Sequence, residues 1–242
     1  CDIYALGIVI YEVFTGAVPF RGDTPVAVIA QHLNDPPPLE GPAAAALPRP
    51  LVPELRLAPS AELRFVFPHA PVRPVTLNGG MPMRAWYDIR ELSTAGRQDV
   101  AGTRESAARI GDLVAREMGR GRPASRSILA GFSQGGAIAL HTALRHPQRL
   151  GGILALSTYL PLHESVAAEA NAANRDIPIL MCHGLHDPVL PYALGELSRD
   201  ALTSLGHSVE WKAYPMQHEV CRPEIADISA WLAARLREPA AA

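Results

Sequence analysis

The sequence predicts an α/β fold, a mostly parallel sheet flanked by helices. Two observations predict it. From Leu63 onward short apolar runs alternate with amphipathic stretches of helical period, the rhythm of βα units. The chain also has 242 residues, 48% of them hydrophobic and 19% charged, which is enough to bury a full core. The formal net charge of −2 offers no basic patch, so nucleic acid and anionic membranes lose their electrostatic warrant as partners. No apolar run reaches the length of a membrane span, and the opening "CDIYALGIVIYEVF" has no basic leader region. A cytoplasmic protein without integral membrane association is the expectation. Three cysteines, Cys1, Cys182 and Cys221, form neither a disulfide framework nor a zinc spacing.

The elements follow in order. Strands are expected at "LRFVF" (63–67), "SILAGF" (127–132), "GGILALS" (151–157), "IPILMCH" (177–183) and "SVEWKAY" (208–214). A helix over 103–119 takes Thr103 as N-cap and puts Ala107, Ile110, Val114 and Met118 on one stripe. A second helix over 135–146 stops before Pro147, where the residue preceding proline disfavours helical geometry. A last one over 223–236 opens at Pro223 and aligns Ile225, Ile228, Leu232 and Leu236. The first 50 residues break this rhythm. An apolar stretch from Ile3 to Phe14 leads to a short helical stretch from Pro25 to Leu33 and then to "NDPPPLEGPAAAALPRP". Of the 23 prolines, 14 precede residue 83, and the run from Pro36 to Pro50 reads as a junction without periodicity to bury.

Chemistry concentrates at Gly131-Phe132-Ser133-Gln134-Gly135, a G-x-S-x-G between an expected strand and an expected helix. The glycines let the chain turn sharply, which lifts the serine hydroxyl to the carboxyl edge of the sheet beside the free N–H groups of a helix start. Serine is a weak nucleophile and needs a base oriented by a carboxylate. Asp187, in "HGLHDPVLP", and His218, in "PMQHEV", each follow the carboxyl end of an expected strand, and the chain order Ser133, Asp187, His218 is the order this kind of sheet uses. His69, His141, His146 and His207 lie in loops, on the following helix or at the wrong edge, and read as solvated or structural. His183 and His186 flank Asp187, but one short turn rarely aims three ligands at one ion, so no metal site is expected.

From about Leu51 to Arg237 the chain resembles the bacterial carboxylesterase branch of the phospholipase/carboxylesterase family, which includes acyl-protein thioesterases. The segments that carry the likeness are "VPELRL", "RFVFPHAPVRPVT", "NGG", "MRAWYDI", "GFSQGG", "HGLHDPVLP" and "PMQHEV", in the family's order. The resemblance implies an α/β-hydrolase acting on carboxylic esters of short or medium acyl chains through an acyl-enzyme, without a cofactor. Ser133 would be the nucleophile, His218 the general acid/base and Asp187 the orienting acid. Residues 1–40 resemble instead the C-terminal lobe of a bacterial serine/threonine protein kinase, in "DIYALGIVIYEVFTGAVPF" and "RGDTPVAVIAQHLNDPPPL", with none of the kinase catalytic motifs. The expected organisation is a non-catalytic kinase-like fragment at 1–40, a Pro/Ala-rich junction at 41–50 and a hydrolase domain at 51–242.

The junction falls where the family has a central strand ending in a loop that supplies one oxyanion-hole N–H. Gln134 can supply the other N–H. Residues 3–14 either keep the helical form they have in kinases or replace the strand, in which case N–H groups near Gly16 or Ala17 restore the second donor. Trp86, in "NGGMPMRAWYD", is either a wall of the acyl pocket or a plain core residue. Two functions therefore stand side by side. One is an active serine esterase on a small-molecule ester. The other is a weak or inactive fusion product acting as a binding or assembly module, whose homodimers fill the slot with a neighbour's segment.

Overall fold

The computed structural model describes residues 54–57, 63–90 and 98–237. Its centre is a parallel sheet of four strands in chain order: β3 (Ile128–Phe132), β4 (Gly152–Leu156), β5 (Ile179–Gly184) and β6 (Val209–Tyr214). Before it runs a small antiparallel pair, β1 (Val72–Pro74) with β2 (Pro82–Arg84). The helices are α1 (Val100–Gly119), α2 (Gln134–Arg145), α3 (His163–Glu169), α4 (Tyr192–Ser204) and α5 (Arg222–Arg237). The α/β class and the four later strands match the sequence reading to within a residue or two.

Alternation along the strands divides the core. Ile153 and Ala155 of β4 and Ile179 and Met181 of β5 pack with Leu140 and Leu144 of α2 and Leu202 of α4. The intervening Leu154, Leu156, Leu180 and Cys182 pack with Ile228 and Trp231 of α5. Side chains of a strand point to opposite faces by turns, so two apolar layers require an apolar residue at every position. Hence β4 is a continuous apolar run and β5 one interrupted by His183, both buried throughout.

Three expectations need correction. Residues 63–67 form no strand. They run without a described ladder partner, and Leu63, Phe65, Val66 and Phe67 are 36 to 43% exposed. Apolar, β-branched sequence makes a strand only where a neighbour takes its backbone hydrogen bonds. Among the described residues β3 is likewise the outermost strand, paired only with β4. Second, Thr103 does not cap α1. Asp99 does, its Oδ1 accepting the Gly102 N–H at 3.0 Å, while Thr103 is buried inside the first turn. Third, the stripe of α1 is deeply buried only at Val114, and the helix's tightest face is the small set Gly102, Thr103 and Ser106. Small residues allow close approach, and Ser106 Oγ donates to the Trp86 carbonyl. The helices α3 and α4 and the β1–β2 pair have no individual counterpart in the sequence reading.

Candidate active site

β3 ends at Phe132 and α2 begins at Gln134, so Ser133 is the whole connection. Its backbone lies at φ 53° and ψ −122°, a conformation that costs a non-glycine residue about 1–3 kcal/mol and persists only where the surroundings enforce it. Here the Ser133 N–H donates to the Leu156 carbonyl at 2.8 Å, and the Thr158 hydroxyl donates to the Ser133 carbonyl at 2.6 Å. Gly131 makes the turn possible. A Cβ there would stand 2.2 Å from the Gly135 backbone. As the first residue of α2, Gln134 presents an N–H with no intrahelical acceptor, beside the half-buried serine.

Asp187 and His218 arrive from the ends of β5 and β6. Asp187 Oδ1 accepts the Val189 and Leu190 N–H groups at 2.9 and 2.8 Å, and its Oδ2 lies 2.7 Å from His218 Nδ1. Burial pushes the Asp187 carboxyl upward, but the hydrogen bonds from His218, Leu190 and Val189 outweigh it, so the carboxyl stays below the usual range and ionised. An ionised carboxylate only accepts. Nδ1 therefore carries a proton, and in the neutral ring Nε2 is the nitrogen with the free lone pair. The His218 ring packs on Phe132, the neighbour of Ser133, with centroids 4.7 Å apart.

The two loops are locked together by backbone. Leu185 N–H donates to the Tyr214 carbonyl at 2.8 Å and His186 N–H to the Met216 carbonyl at 3.1 Å. Gly184 permits this approach, since a Cβ on it would meet the Gln217 carbonyl oxygen at 2.2 Å.

His183 is buried; its Nε2–H donates to the Leu190 carbonyl at 2.9 Å, and its ring stacks on Trp211. His186 is exposed. Among the described residues no three His, Cys, Asp or Glu side chains converge as a metal-ligand set. His141 is buried on α2, and burial, aided by Arg145, holds it neutral by lowering its pKa to about 4.

Sequence reasoning missed the side chain of Gln134. Its Oε1 accepts the Trp86 N–H at 2.7 Å and its Nε2 donates to the Tyr87 carbonyl at 2.8 Å. The residue after the serine thus clamps the 86–87 loop. Trp86 is buried in a cluster with Ala70, Tyr87, Ala137 and Ile138, and its edge also lines an open cleft of about 210 Å³ with Pro68, His69 and Ile110. Ser133, Asp187 and His218 are not among the residues lining that cleft. No local signal reveals the clamp, because its partners lie 47 and 48 residues away. Gly16 and Ala17, the candidate oxyanion donors, lie outside the described residues, as does the whole 3–14 stretch.

Removing the clamp has a defined expectation. Gln134→Ala keeps the backbone N–H but strands a buried N–H and a carbonyl, at about 1–3 kcal/mol for each buried group left unmade. The denaturation midpoint should fall, and turnover should drop by roughly tenfold as the loop loosens. Chemical denaturation and steady-state kinetics on one preparation measure both.

The sequence profile described as Phospholipase/Carboxylesterase matches residues 54–236. The chain belongs to the phospholipase/carboxylesterase family. It is 39% identical over 180 residues to acyl-protein thioesterase 1 of Yarrowia lipolytica, an alignment covering 73% of this chain and 79% of the relative. Among solved structures, SOBER1 of Arabidopsis thaliana superposes with a TM-score of 0.75 at 28% identity, covering 78% of this chain and 91% of that one. Acyl-protein thioesterase 2 of Zea mays superposes at 0.63 with 34% identity, covering 70% and 80%. This phospholipase/carboxylesterase family member is an α/β-hydrolase and an ester hydrolase of the serine kind. No helix among its described residues is long and apolar enough to cross a membrane.

Proposed function

We propose that the chain is a carboxylesterase that hydrolyses short- to medium-chain esters, thioesters included, through an acyl-enzyme on Ser133. The observation that carries this reading is the 2.7 Å hydrogen bond from His218 Nδ1 to Asp187, set against the strained turn at Ser133. Ser133 Oγ attacks the carbonyl carbon as His218 Nε2 takes its proton. The tetrahedral oxyanion faces the Gln134 N–H. His218 returns the proton to the departing alkoxide or thiolate, leaving the acyl group on Ser133. Water then gives a proton to Nε2, attacks the acyl carbon and releases the acid, and the proton returns to Oγ. The acyl-protein thioesterase names of the Yarrowia and maize relatives support including thioesters among the substrates.

The same reading keeps a kinase-like fragment at 1–40, on its sequence resemblance alone, and a junction at 41–50, ahead of a family match that begins at residue 54. Trp86 belongs to it as a residue flanking the acyl site, supported by the Gln134 clamp. The second reading, a weakly active or inactive assembly module, draws on one observation. Among the described residues no strand lies on the outer edge of β3, the side from which a second oxyanion donor would come.

A fluorophosphonate probe separates the two. The esterase reading expects stoichiometric labelling, found by peptide mass on Ser133 and blocked by prior acylation with a p-nitrophenyl ester. An unlabelled, folded protein would favour the module.

A further inference from the structure

β5 carries a second histidine toward the loop of the candidate acid. His183 stands one residue before the end of the strand and is fully buried, and no step of the proposed reaction uses it. Its Nε2 lies 2.9 Å from the Leu190 carbonyl oxygen and 3.6 Å from Asp187 Oδ2. The first distance is a hydrogen bond and the second is not. A carbonyl oxygen only accepts, so Nε2 carries the ring proton and aims it at Leu190. Nδ1 is then the bare nitrogen, and it has no hydrogen-bond partner among the described residues. Burial foremost holds the ring below the usual imidazole range, so it stays neutral.

Packing fixes the ring from three sides. Trp211 of β6 lies along its face, with centroids 6.1 Å apart and planes 26° from parallel, and Tyr192 of α4 stands nearly perpendicular to it at 6.0 Å. Gly195 lets α4 close on the ring, since a Cβ there would stand 2.5 Å from Nδ1. The Nε2 proton therefore has a fixed direction. That direction matters because Leu190, itself buried, is bonded twice. Its carbonyl takes the His183 proton, while its N–H, together with that of Val189, holds Asp187 Oδ1. This chain of bonds runs from β5 to Oδ1 and leaves Oδ2 directed at His218 Nδ1, 2.7 Å away.

We propose that His183 is a positioning residue for Asp187: it ties the Leu190 carbonyl to β5, and so holds the 187–190 turn in the setting that points Oδ2 at His218. The proposal rests on the reading of Asp187 and His218 as orienting acid and base. Of the two histidines in "HGLHD", the buried one thus serves the geometry of the reaction without touching substrate. Loss of its proton donor should cost turnover rather than binding, because a shift of about 1 Å in a catalytic group costs up to about 100-fold.

Two variants of the full chain separate a donor from a packing residue. His183→Phe keeps a ring of similar size and has no N–H. His183→Gln gives up the ring but can place an amide N–H near the position of Nε2. Positioning expects the phenylalanine variant to lose about 10- to 100-fold in kcat for a soluble p-nitrophenyl ester with KM nearly constant, and the glutamine variant to recover most of that loss. Packing alone expects the reverse order. That order, equal losses in the two variants, or a phenylalanine variant within about twofold of the parent overturns the proposal. The second readout needs no turnover: the downfield proton resonance of His218 Nδ1–H bonded to Asp187, identified by its disappearance in Asp187→Asn. It should vanish in the phenylalanine variant and persist in the glutamine one, and its persistence unchanged in both overturns the proposal. If a variant does not fold, the ring-nitrogen chemical shifts of His183 in the parent decide. A protonated Nε2 whose proton exchanges slowly with water supports the anchor, and a protonated Nδ1 or a fast-exchanging proton overturns it. Variants that show the expected resonance pattern beside a parent that hydrolyses nothing refute the esterase reading and leave the positioning of Asp187 by His183 supported.

Discussion

Ser133→Ala is expected to lower ester hydrolysis by about 10⁴- to 10⁶-fold, the range lost when the nucleophile of a comparable serine–histidine–carboxylate machine is removed. The fold should survive. The turn at residue 133 is held by its backbone N–H and carbonyl, which bond Leu156 and Thr158 and are untouched by the substitution. Alanine inherits the φ of 53° with little added strain, so the stability change should stay within about 1 kcal/mol. Circular dichroism and denaturation of the variant beside its kcat/KM measure this. Hydrolysis within tenfold of the parent would show that the reacting group lies elsewhere.

Asp187→Asn is expected to lower turnover by about 10⁴-fold, although it replaces one oxygen by a nitrogen of nearly the same size. The Val189 and Leu190 N–H groups both point at Oδ1 and fix that position as an acceptor. The amide must therefore place its carbonyl there and turn its NH₂ toward His218 Nδ1. Nδ1 then has to accept, and the ring proton moves to Nε2, the atom that should take the proton from Ser133. The loss should fall on kcat with KM nearly unchanged, and raising the pH should not restore it, because the fault is a tautomer rather than a titration. Steady-state kinetics from about pH 6 to about pH 9 would show it. A variant whose activity recovers with pH would mean that Asp187 acts only by adjusting the basicity of His218.

Much of this was legible before the chain was folded, and the reason is range. β4 and β5 announce themselves as short apolar runs because both their faces are covered, and the G-x-S-x-G turn is a five-residue event whose glycines answer clashes within the same five residues. The placement of Asp187 and His218 beyond strand ends follows from the same local pattern. Where the reading failed, a distant partner decided. "LRFVF" has the composition of a strand, but residues 63–67 find no described neighbour to bond. Thr103 has the chemistry of a cap, yet Asp99, four residues earlier, reaches the open Gly102 N–H first.

By itself the sequence determined the class of fold, the sharp turn at Ser133 and the order in which the candidate acid and base return to the same edge, because these depend on period, on steric freedom and on neighbours in the chain. Only the tertiary structure decided which atoms meet. It set the proton on His218 Nδ1 by aiming Asp187 at it, and tied Trp86 to the helix after Ser133 through Gln134. Tautomer and clamp are properties of an enclosure, and an enclosure exists only when segments dozens of residues apart close around it.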